Sequence, residues 1–211
     1  MKLDTWLAVI LVSISAAFAI SGKYQKSKFV HYAFKPLTMI MIISLAFDRM
    51  AAQPTVYGYF ILSGLCVSLL GDVFLMLPAR YFKPGLLAFL TALTLYILAF
   101  SRGLRARPLS PLLVILAYAL LVFLFLYRSL SSYKWPVLFY ILAISTMAWL
   151  AVSRHLEMPG RNTLLAMAGA LLFLVSDSAN AVNRFKKPFR PAHVLILGTY
   201  FAAQLLFALS I

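Results

Sequence analysis

Residues 63–80 read SGLCVSLLGDVFLMLPAR, an apolar run long enough to span a membrane that carries one carboxyl group, that of Asp72. Residues 169–184 read GALLFLVSDSANAVNR and repeat this design, with Asp177 in the corresponding place. An aspartate near the centre of a bilayer costs about 2.5–3.5 kcal/mol on insertion scales, so such a residue is a candidate for function. The chain has five acidic residues among 211, and two of them occupy these unfavourable places.

The composition is that of an integral membrane protein. Hydrophobic residues make up 64% of the chain and charged residues 11%, whereas a soluble domain carries about 25% charged residues. The net charge of +14 reflects the shortage of acids, because 19 Lys and Arg residues are ordinary for this length. The bases lie between apolar segments and form no stripe, which disfavours nucleic acid as a partner and favours membrane lipids. The single Cys66 excludes an internal disulfide.

Eight apolar segments meet the length of about 20 residues, with about 17 tolerated, that a spanning helix needs. They cover residues 4–20, 30–47, 57–77, 85–101, 109–127, 135–152, 162–182 and 191–210. Gly, Pro and basic residues separate them, and every loop is short. The sequence therefore predicts an all-α fold: a polytopic integral membrane bundle of eight transmembrane helices and no soluble domain. The first segment has a signal-like end at residues 17–19, but its long apolar run and poor basic leader predict that it is retained.

The two aspartate-bearing helices share further features. Helices 3 and 7 have the same Gly-x7-Asp spacing, and basic Pro-containing turns follow them, RYFKPG at 80–85 and RFKKPF at 184–189. On this interpretation helices 2 and 6 open with Lys35-Pro36 and with Lys134-Trp135-Pro136. Chance likeness of short apolar sequences is the alternative to a repeat.

A repeat of this kind predicts two four-helix halves, residues 1–104 and 105–211. Because four spans are an even number, the second half would run parallel to the first. Asp72 and Asp177 would then lie at the same depth, each about one and a half turns from the C-terminal end of its helix.

The distribution of bases predicts the orientation. Seven Lys and Arg residues lie on the N-terminal side of the membrane, and twelve lie at the loops after helices 1, 3, 5 and 7. These twelve are Lys23, Lys26, Lys28, Lys35, Arg80, Lys83, Arg128, Lys134, Arg184, Lys186, Lys187 and Arg190. The positive-inside rule places the loops with more bases in the cytoplasm, so both termini are expected outside. The site is expected to open to the cytoplasm.

Polar residues cluster around both acids. Asp177, Asn180 and Arg184 follow an i, i+3, i+7 spacing and share one face of helix 7. On helix 3, Gly64 begins a stripe of small residues that ends at Asp72 and permits close helix packing.

Each aspartate has two possible roles. In one, it is a buried carboxylate that pairs with Arg184 or Lys35 and holds the bundle together. In the other, two carboxyl groups meet in an apolar cavity, where one holds a proton beside an ionised partner. That arrangement serves general acid and general base catalysis, and the matched depth of the acids favours it. Tyr96, Tyr200 and Gln204 would then supply hydrogen bonds to a substrate.

Histidines and short motifs add little. His31 and His155 lie at predicted helix ends and are expected to face the membrane interface. His193 opens helix 8 near a basic loop, within reach of a phosphate, although an interfacial position is expected for it too. The sequence has no HExxH, GxSxG or Walker pattern. We therefore expect a site without a metal or a cofactor.

Several stretches resemble the YhhN-like lysoplasmalogenase family. They are FKPLTM at 34–39, GLCVSLLGDVFLMLP at 64–78, FKPGLLAFL at 82–90 and LLFLVSDSANAVNRF at 171–185. The similarity runs from helix 2 to the terminal TYFAAQLLFALS. It implies an eight-helix membrane hydrolase that cleaves the vinyl-ether bond of lysoplasmalogens to a fatty aldehyde and a glycerophospho-base.

By motif, the resemblance makes Lys35, Asp72 and Asp177 candidate site residues, with Asn180 and Arg184 matched more loosely. One departure concerns helix 4. In relatives it often reads F-L-x-x-H-x-x-Y, whereas here the position of that His is occupied by Leu93. If the His takes part in catalysis, the activity or substrate of this chain differs.

The chemistry of vinyl ethers suits the two acids. Protonation of the carbon β to oxygen leaves an oxocarbenium ion, which water attacks, so an acid and an ionised carboxylate suffice. We therefore predict that Asp72 and Asp177 form a catalytic pair acting on a single-chain lysophospholipid. The rival hypotheses are a small proton-coupled transporter or lipid flippase, in which the acids carry protons, and a structural membrane protein.

Overall fold

The computed structural model describes residues 5–25, 27–189 and 191–211. Lys26 and Arg190, two of the bases used for the orientation, lie outside the described residues, as do residues 1–4. The described chain forms eight α-helices and no strand. The helices are α1 (Thr5–Tyr24), α2 (Lys28–Ala52), α3 (Val56–Met76), α4 (Phe82–Ser101), α5 (Leu109–Leu126), α6 (Lys134–Glu157), α7 (Arg161–Phe185) and α8 (Ala192–Leu209).

All eight helices are long and apolar enough to cross a membrane. Their outward faces carry large apolar side chains, among them Leu87, Val114 and Phe139, each more than 60% exposed. Such a surface is stable against lipid tails and not against water. The predicted all-α, eight-span membrane bundle is confirmed.

Two helix boundaries differ from the prediction and move the site residues. Helix α2 begins at Lys28, where Ser27 caps it by accepting a 3.4 Å hydrogen bond from the Val30 N–H. Lys35 and Pro36 therefore lie about two turns inside the helix, not at its opening as predicted. Helix α7 continues to Phe185, so its aspartate lies about two turns from the end.

The helices pack mainly on their chain neighbours. The most extensive contacts join α3 to α4, α7 to α8 and α1 to α2. The first four helices meet the last four through α4 against α6, α2 against α8 and α1 against α8, with a smaller contact of α3 against α8. The α4–α6 and α2–α8 contacts are those that a two-fold relation between four-helix halves would generate, and the repeat stays a prediction.

Small residues bring α3 close to α4. A Cβ atom on Gly64 would lie 2.3 Å from a ring carbon of Tyr96, so only a glycine permits this approach. The Tyr96 ring also contacts the rings of Phe100 and Phe207, at ring-centroid distances of 6.5 and 4.7 Å. This aromatic core ties α3, α4 and α8 together and supports the helices that carry the polar residues.

One end of the bundle is closed by polar contacts. The carboxylate of Glu157 accepts hydrogen bonds of 3.0 Å from the backbone N–H groups of Arg105 and Ala106, and the Arg154 guanidinium lies 4.9 Å from the Tyr57 ring centroid. Arg49 donates a 3.1 Å hydrogen bond to the Leu209 carbonyl. Glu157 thereby joins the end of α6 to the loop after α4, and Arg154 joins α6 to the start of α3. Arg49 joins the end of α2 to the end of α8.

Candidate active site

A cavity of about 280 Å³ lies at the end of the bundle where α1, α3, α5 and α7 finish. Asp72 of α3 and Asp177 of α7 both line it. The cavity also receives side chains from α1, α2, α4, α5, α6 and α8, so all eight helices of the described chain contribute to its wall. The two acids of the predicted pair thus share one chamber.

Asp72 is held by a cation and a phenol. Its Oδ1 lies 2.8 Å from the Lys35 Nζ, and its Oδ2 accepts a 2.7 Å hydrogen bond from the Tyr200 hydroxyl. The Asp72 side chain is 2% exposed. Its contact with Lys35 is the one ion pair found among the described residues. Burial of a carboxylate is tolerated when a cation and a hydrogen-bond donor compensate for lost water. Lys35 and Tyr200 therefore offset part of the cost of burying the Asp72 carboxylate.

Asp177 has a different environment. Its Oδ2 accepts a hydrogen bond from the Tyr140 hydroxyl of α6. No Lys or Arg of the described chain lies within ion-pair distance of it, and the predicted alternative of a pair with Arg184 is not formed. Burial of an Asp177 carboxylate is offset by the Tyr140 hydrogen bond without a cation, which is a weaker compensation than the one that Asp72 receives.

The other polar residues predicted on helix 7 also line the cavity. Asn180 and Arg184 do so, and so does Asn183, which lay outside the predicted set. The guanidinium carbon of Arg184 lies 3.6 Å from the centroid of the Phe82 ring, so this base stacks on an aromatic face near the cavity mouth.

Two of the predicted substrate-binding residues do not reach the cavity. Tyr96 is fully buried, and its hydroxyl donates a 2.8 Å hydrogen bond to Oε1 of Gln204, which is also fully buried. Ser68 lies 3.4 Å from the same hydroxyl. Both residues point into the helix core, since the close packing of α3 on α4 holds the Tyr96 ring there. The structure brings Tyr200 alone of the three to the cavity.

Sequence reasoning missed Tyr140 and misplaced two histidines. Tyr140 lies one turn after Pro136 in α6, and α6 precedes α7 as α2 precedes α3, so the proposed repeat could have indicated it. His31 lines the cavity instead of facing the interface; it is 8% exposed, and its Nδ1 lies 3.0 Å from the Ala19 carbonyl oxygen. His193 lines the cavity as well. His31 does lie near the start of α2, as predicted, but α1 packs on α2 there and the His31 ring faces the Ala19 carbonyl of α1.

The cavity has a basic rim. Lys23, His31 and His193 line it together with Lys35, which is already paired with the aspartate of α3. Glu157, another of the five acids, lies at the closed end of the bundle. The rim therefore has an excess of basic groups, which attracts anions.

The opposite wall of the cavity is apolar. Its residues belong to α4, α5 and α6 and include Leu86, Phe89, Ala119, Val122, Ile141 and Ile144. The cavity thus combines basic side chains, two acids and an apolar wall. This is the distribution of polarity in a single-chain phospholipid.

A family model extends over most of the site-bearing chain. The model of the YhhN family matches residues 30–211. The chain belongs to the YhhN family. The match begins in α2 and includes Lys35, both aspartates and both tyrosines that contact them, so the predicted family resemblance is confirmed.

Named relatives of this YhhN-family protein cover most of it. The membrane protein YhhN of Escherichia coli O157:H7 is 29% identical over 203 residues, 96% of this chain and 97% of the relative. Human lysoplasmalogenase TMEM86A is 35% identical over 177 residues, 81% and 72% of the two chains. Pig lysoplasmalogenase TMEM86B is 31% identical over 209 residues, 98% and 86%. No solved structure matches the chain.

The described residues of this YhhN-family protein offer no evident metal site. The described residues contain no group of three or more His, Cys, Asp or Glu side chains placed to hold an ion. The expectation of a site without metal or cofactor stays a prediction.

Proposed function

We propose that this protein is a membrane hydrolase that cleaves the vinyl-ether bond of lysoplasmalogens and releases a fatty aldehyde and a glycerophospho-base. The observation that carries the proposal is the pair of aspartates in one cavity, one held by a cation and the other by a neutral phenol alone. The names of the mammalian relatives support the substrate class.

The different partners suggest different roles for the two acids. Asp177 is the proton donor, because its neutral form is the one that its surroundings favour. Asp72 is the carboxylate base, because Lys35 and Tyr200 stabilise its charge. Two carboxyl groups kept in opposite protonation states are the arrangement that general acid–base catalysis requires.

The first step forms a carbon–hydrogen bond. Asp177 transfers its proton to the vinyl carbon β to the ether oxygen, and the double-bond electrons form that bond. The positive charge is shared by the α-carbon and the ether oxygen as an oxocarbenium ion. The carboxylates of Asp177 and Asp72 stabilise this cation through the low dielectric of the cavity.

The second step adds water and breaks the ether. Asp72 takes one proton from a water molecule whose oxygen attacks the α-carbon, which gives a hemiacetal. The hemiacetal O–H then returns a proton to Asp177 as the C–O bond to glycerol breaks, and Asp72 protonates the departing oxygen. Aldehyde and alcohol leave with both acids in their starting states, so no oxidant or cofactor is consumed.

The phosphate of the substrate lies at the basic rim in this proposal. Lys23, His31 and His193 have no carboxylate partner among the described residues and face the cavity. Arg184, near the mouth, adds a fourth donor. This rim belongs to the side that holds twelve of the 19 bases, so we propose that it faces the cytoplasm.

The test is aldehyde release by purified, detergent-solubilised protein from a 1-alkenyl lysophosphocholine. In D2O the aldehyde, trapped at once by borohydride, should carry one deuterium on the carbon next to the former carbonyl carbon. A solubilised transporter or flippase makes no product, so absence of aldehyde from folded protein would exclude the hydrolase. Aldehyde without that deuterium would exclude protonation on carbon.

A further inference from the structure

Helix α5 is the least enclosed of the eight helices. Only 17% of the residues in its apolar spanning stretch are buried, against 28–44% for the other seven helices. The corresponding helix of the first half, α1, packs on both α2 and α8. Helix α5 packs on α6 and slightly on α7, without a comparable contact to α4. The bundle is therefore closed beside α1 and loosely closed between α4 and α5.

The cavity extends to this loose side. Its apolar wall includes Leu86 and Phe89 from α4 and Tyr118, Ala119 and Val122 from α5. Helices α4 and α5 make no extensive contact with each other, although both pack on α6. The neighbouring outward residues of α5 are large, apolar and exposed to lipid.

The opening lies near the level of the proposed proton donor. Tyr118 stands eight residues before the end of α5, as Asp177 does in α7, which is about 12 Å along each axis. Helices two spans apart cross the membrane in the same direction, so the two distances are comparable. Tyr118 lines the cavity and is 38% exposed, which places it between the cavity and the outer surface of the bundle.

We propose that the gap between α4 and α5 is a lateral opening that admits the hydrocarbon chain of a single-chain lipid from the bilayer. Leu86, Ala119 and Val122 then line the passage for the part of a long chain that does not fit in the cavity. The identity of the lipid rests on the proposed function; the opening itself rests on the packing of α5.

The size of the cavity supports a chain that passes through its wall. A volume of about 280 Å³ is at the lower limit for enclosing a drug-sized ligand, and a long-chain lysophospholipid is larger. With the phosphate at the basic rim and the vinyl ether at the acids, the rest of the chain has to leave the cavity. An exit into lipid keeps the chain in an apolar medium, whereas an exit at the rim would expose it to water.

The first experiment fills the proposed passage. Ala119→Trp places a large side chain in the wall, and Ala117→Trp places the same side chain two residues away on the exposed face of α5. We expect Ala119→Trp to lower kcat/KM for a C16 alkenyl chain at least tenfold and for a C8 chain less than threefold. Ala117→Trp should leave both unchanged. A folded Ala119→Trp protein with equal effects on both chains would overturn the proposal.

Val122→Trp is a second test in case Ala119→Trp does not fold, because Val122 is only partly buried and lines the same wall. Its control is Leu121→Trp, at a position that is 67% exposed. Melting temperatures of all four variants show which of them are folded. The same chain-length dependence is expected for Val122→Trp.

The second experiment works without hydrolysis. A saturated 1-O-hexadecyl lysophosphocholine with a diazirine in the middle of its chain lacks the vinyl ether and stays intact. After irradiation we expect cross-links on α4 and α5 that excess unlabelled saturated lipid suppresses and that Ala119→Trp reduces at least fivefold. Suppressible cross-links confined to α1 and α8 would overturn the lateral opening.

Cross-linking and aldehyde release together distinguish the lateral opening from the hydrolase activity. Cross-links at α4 and α5 in a protein that releases no aldehyde would support the opening and exclude the hydrolase. Aldehyde release with no suppressible cross-link at α4 or α5 would support the hydrolase and exclude the opening.

Discussion

The two aspartates occupy one cavity and meet different neighbours. Asp72 is held between Lys35 and Tyr200, with an ion pair of 2.8 Å, whereas Asp177 has the hydroxyl of Tyr140 and no cation within ion-pair distance in the described chain. Each receives a partner from the helix that precedes its own, α2 or α6. The comparison teaches that identical side chains on similar helices can receive different compensation for burial, from a lysine in one case and a tyrosine in the other.

Asparagine replacements test this division of roles with the largest expected effect. Asp177→Asn removes the proposed proton donor, so kcat for aldehyde release should fall about 10³-fold, within the range of general acid catalysis. Asp72→Asn should lower kcat less, by about 10²-fold, because solvent can replace part of a base's contribution to water attack. Melting temperatures serve as the folding control. A larger loss for Asp72→Asn than for Asp177→Asn would reverse the assignment.

Loss of a partner should lower the stability of the protein much more at Asp72, which has an ion pair, than at Asp177, which has none in the described chain. Lys35→Met leaves the Asp72 carboxylate buried and unpaired, which should destabilise the protein by about 3–5 kcal/mol. The matched change at the other site, Tyr140→Phe, should cost about 1 kcal/mol. Thermal unfolding in a fixed detergent measures both.

A double variant separates the charge from the packing. Lys35→Met with Asp72→Asn removes both charges, so it should recover most of the stability that Lys35→Met loses. No recovery would show that the lysine stabilises the bundle through its packing and not through the ion pair.

The two phenols should affect the rate by smaller and unequal amounts. Tyr140→Phe removes the hydrogen bond that Asp177 receives, and we expect kcat to fall about tenfold, as for a lost hydrogen bond of about 1.4 kcal/mol. Tyr200→Phe leaves Lys35 in place beside Asp72, so the loss there should be about threefold. Equal losses would indicate that the lysine does not compensate.

The smallest effect is expected for the tyrosine behind the cavity. Tyr96→Phe removes the 2.8 Å hydrogen bond to Gln204 without opening the cavity wall, so kcat should change less than twofold. The melting temperature should fall, because the Gln204 amide then loses a buried partner worth about 1 kcal/mol. A large loss of activity would return Tyr96 to the substrate-binding residues that its sequence position predicted.

Much of the fold could be predicted from local features of the sequence. Apolar length predicted all eight helices, and the shortage of acids singled out Asp72 and Asp177, which the structure places on one cavity. Helix boundaries were predicted less accurately where a capping residue lies before the proline that was taken as the opening of the helix. Ser27 starts α2 before Pro36, so Lys35 lies deeper than its position beside a proline suggested.

The partners of the acids were not predictable in the same way. Tyr140 was missed and Tyr96 was placed at the substrate, although both are tyrosines in apolar helices. A helix turns by about 100° per residue, so a small rotation decides whether a hydroxyl faces a cavity or a core. That rotation depends on packing, as Gly64 shows by admitting the Tyr96 ring between α3 and α4.

By itself the sequence determined an eight-span helical membrane protein with two acids in unfavourable places, because span length and the cost of charge in lipid act on each segment separately. Tertiary structure alone decided that Asp72 pairs with Lys35, that Asp177 does not pair with Arg184, and that α5 leaves one side of the cavity loosely closed. These features depend on how helices from distant parts of the chain pack against one another, and no property of one segment contains that information.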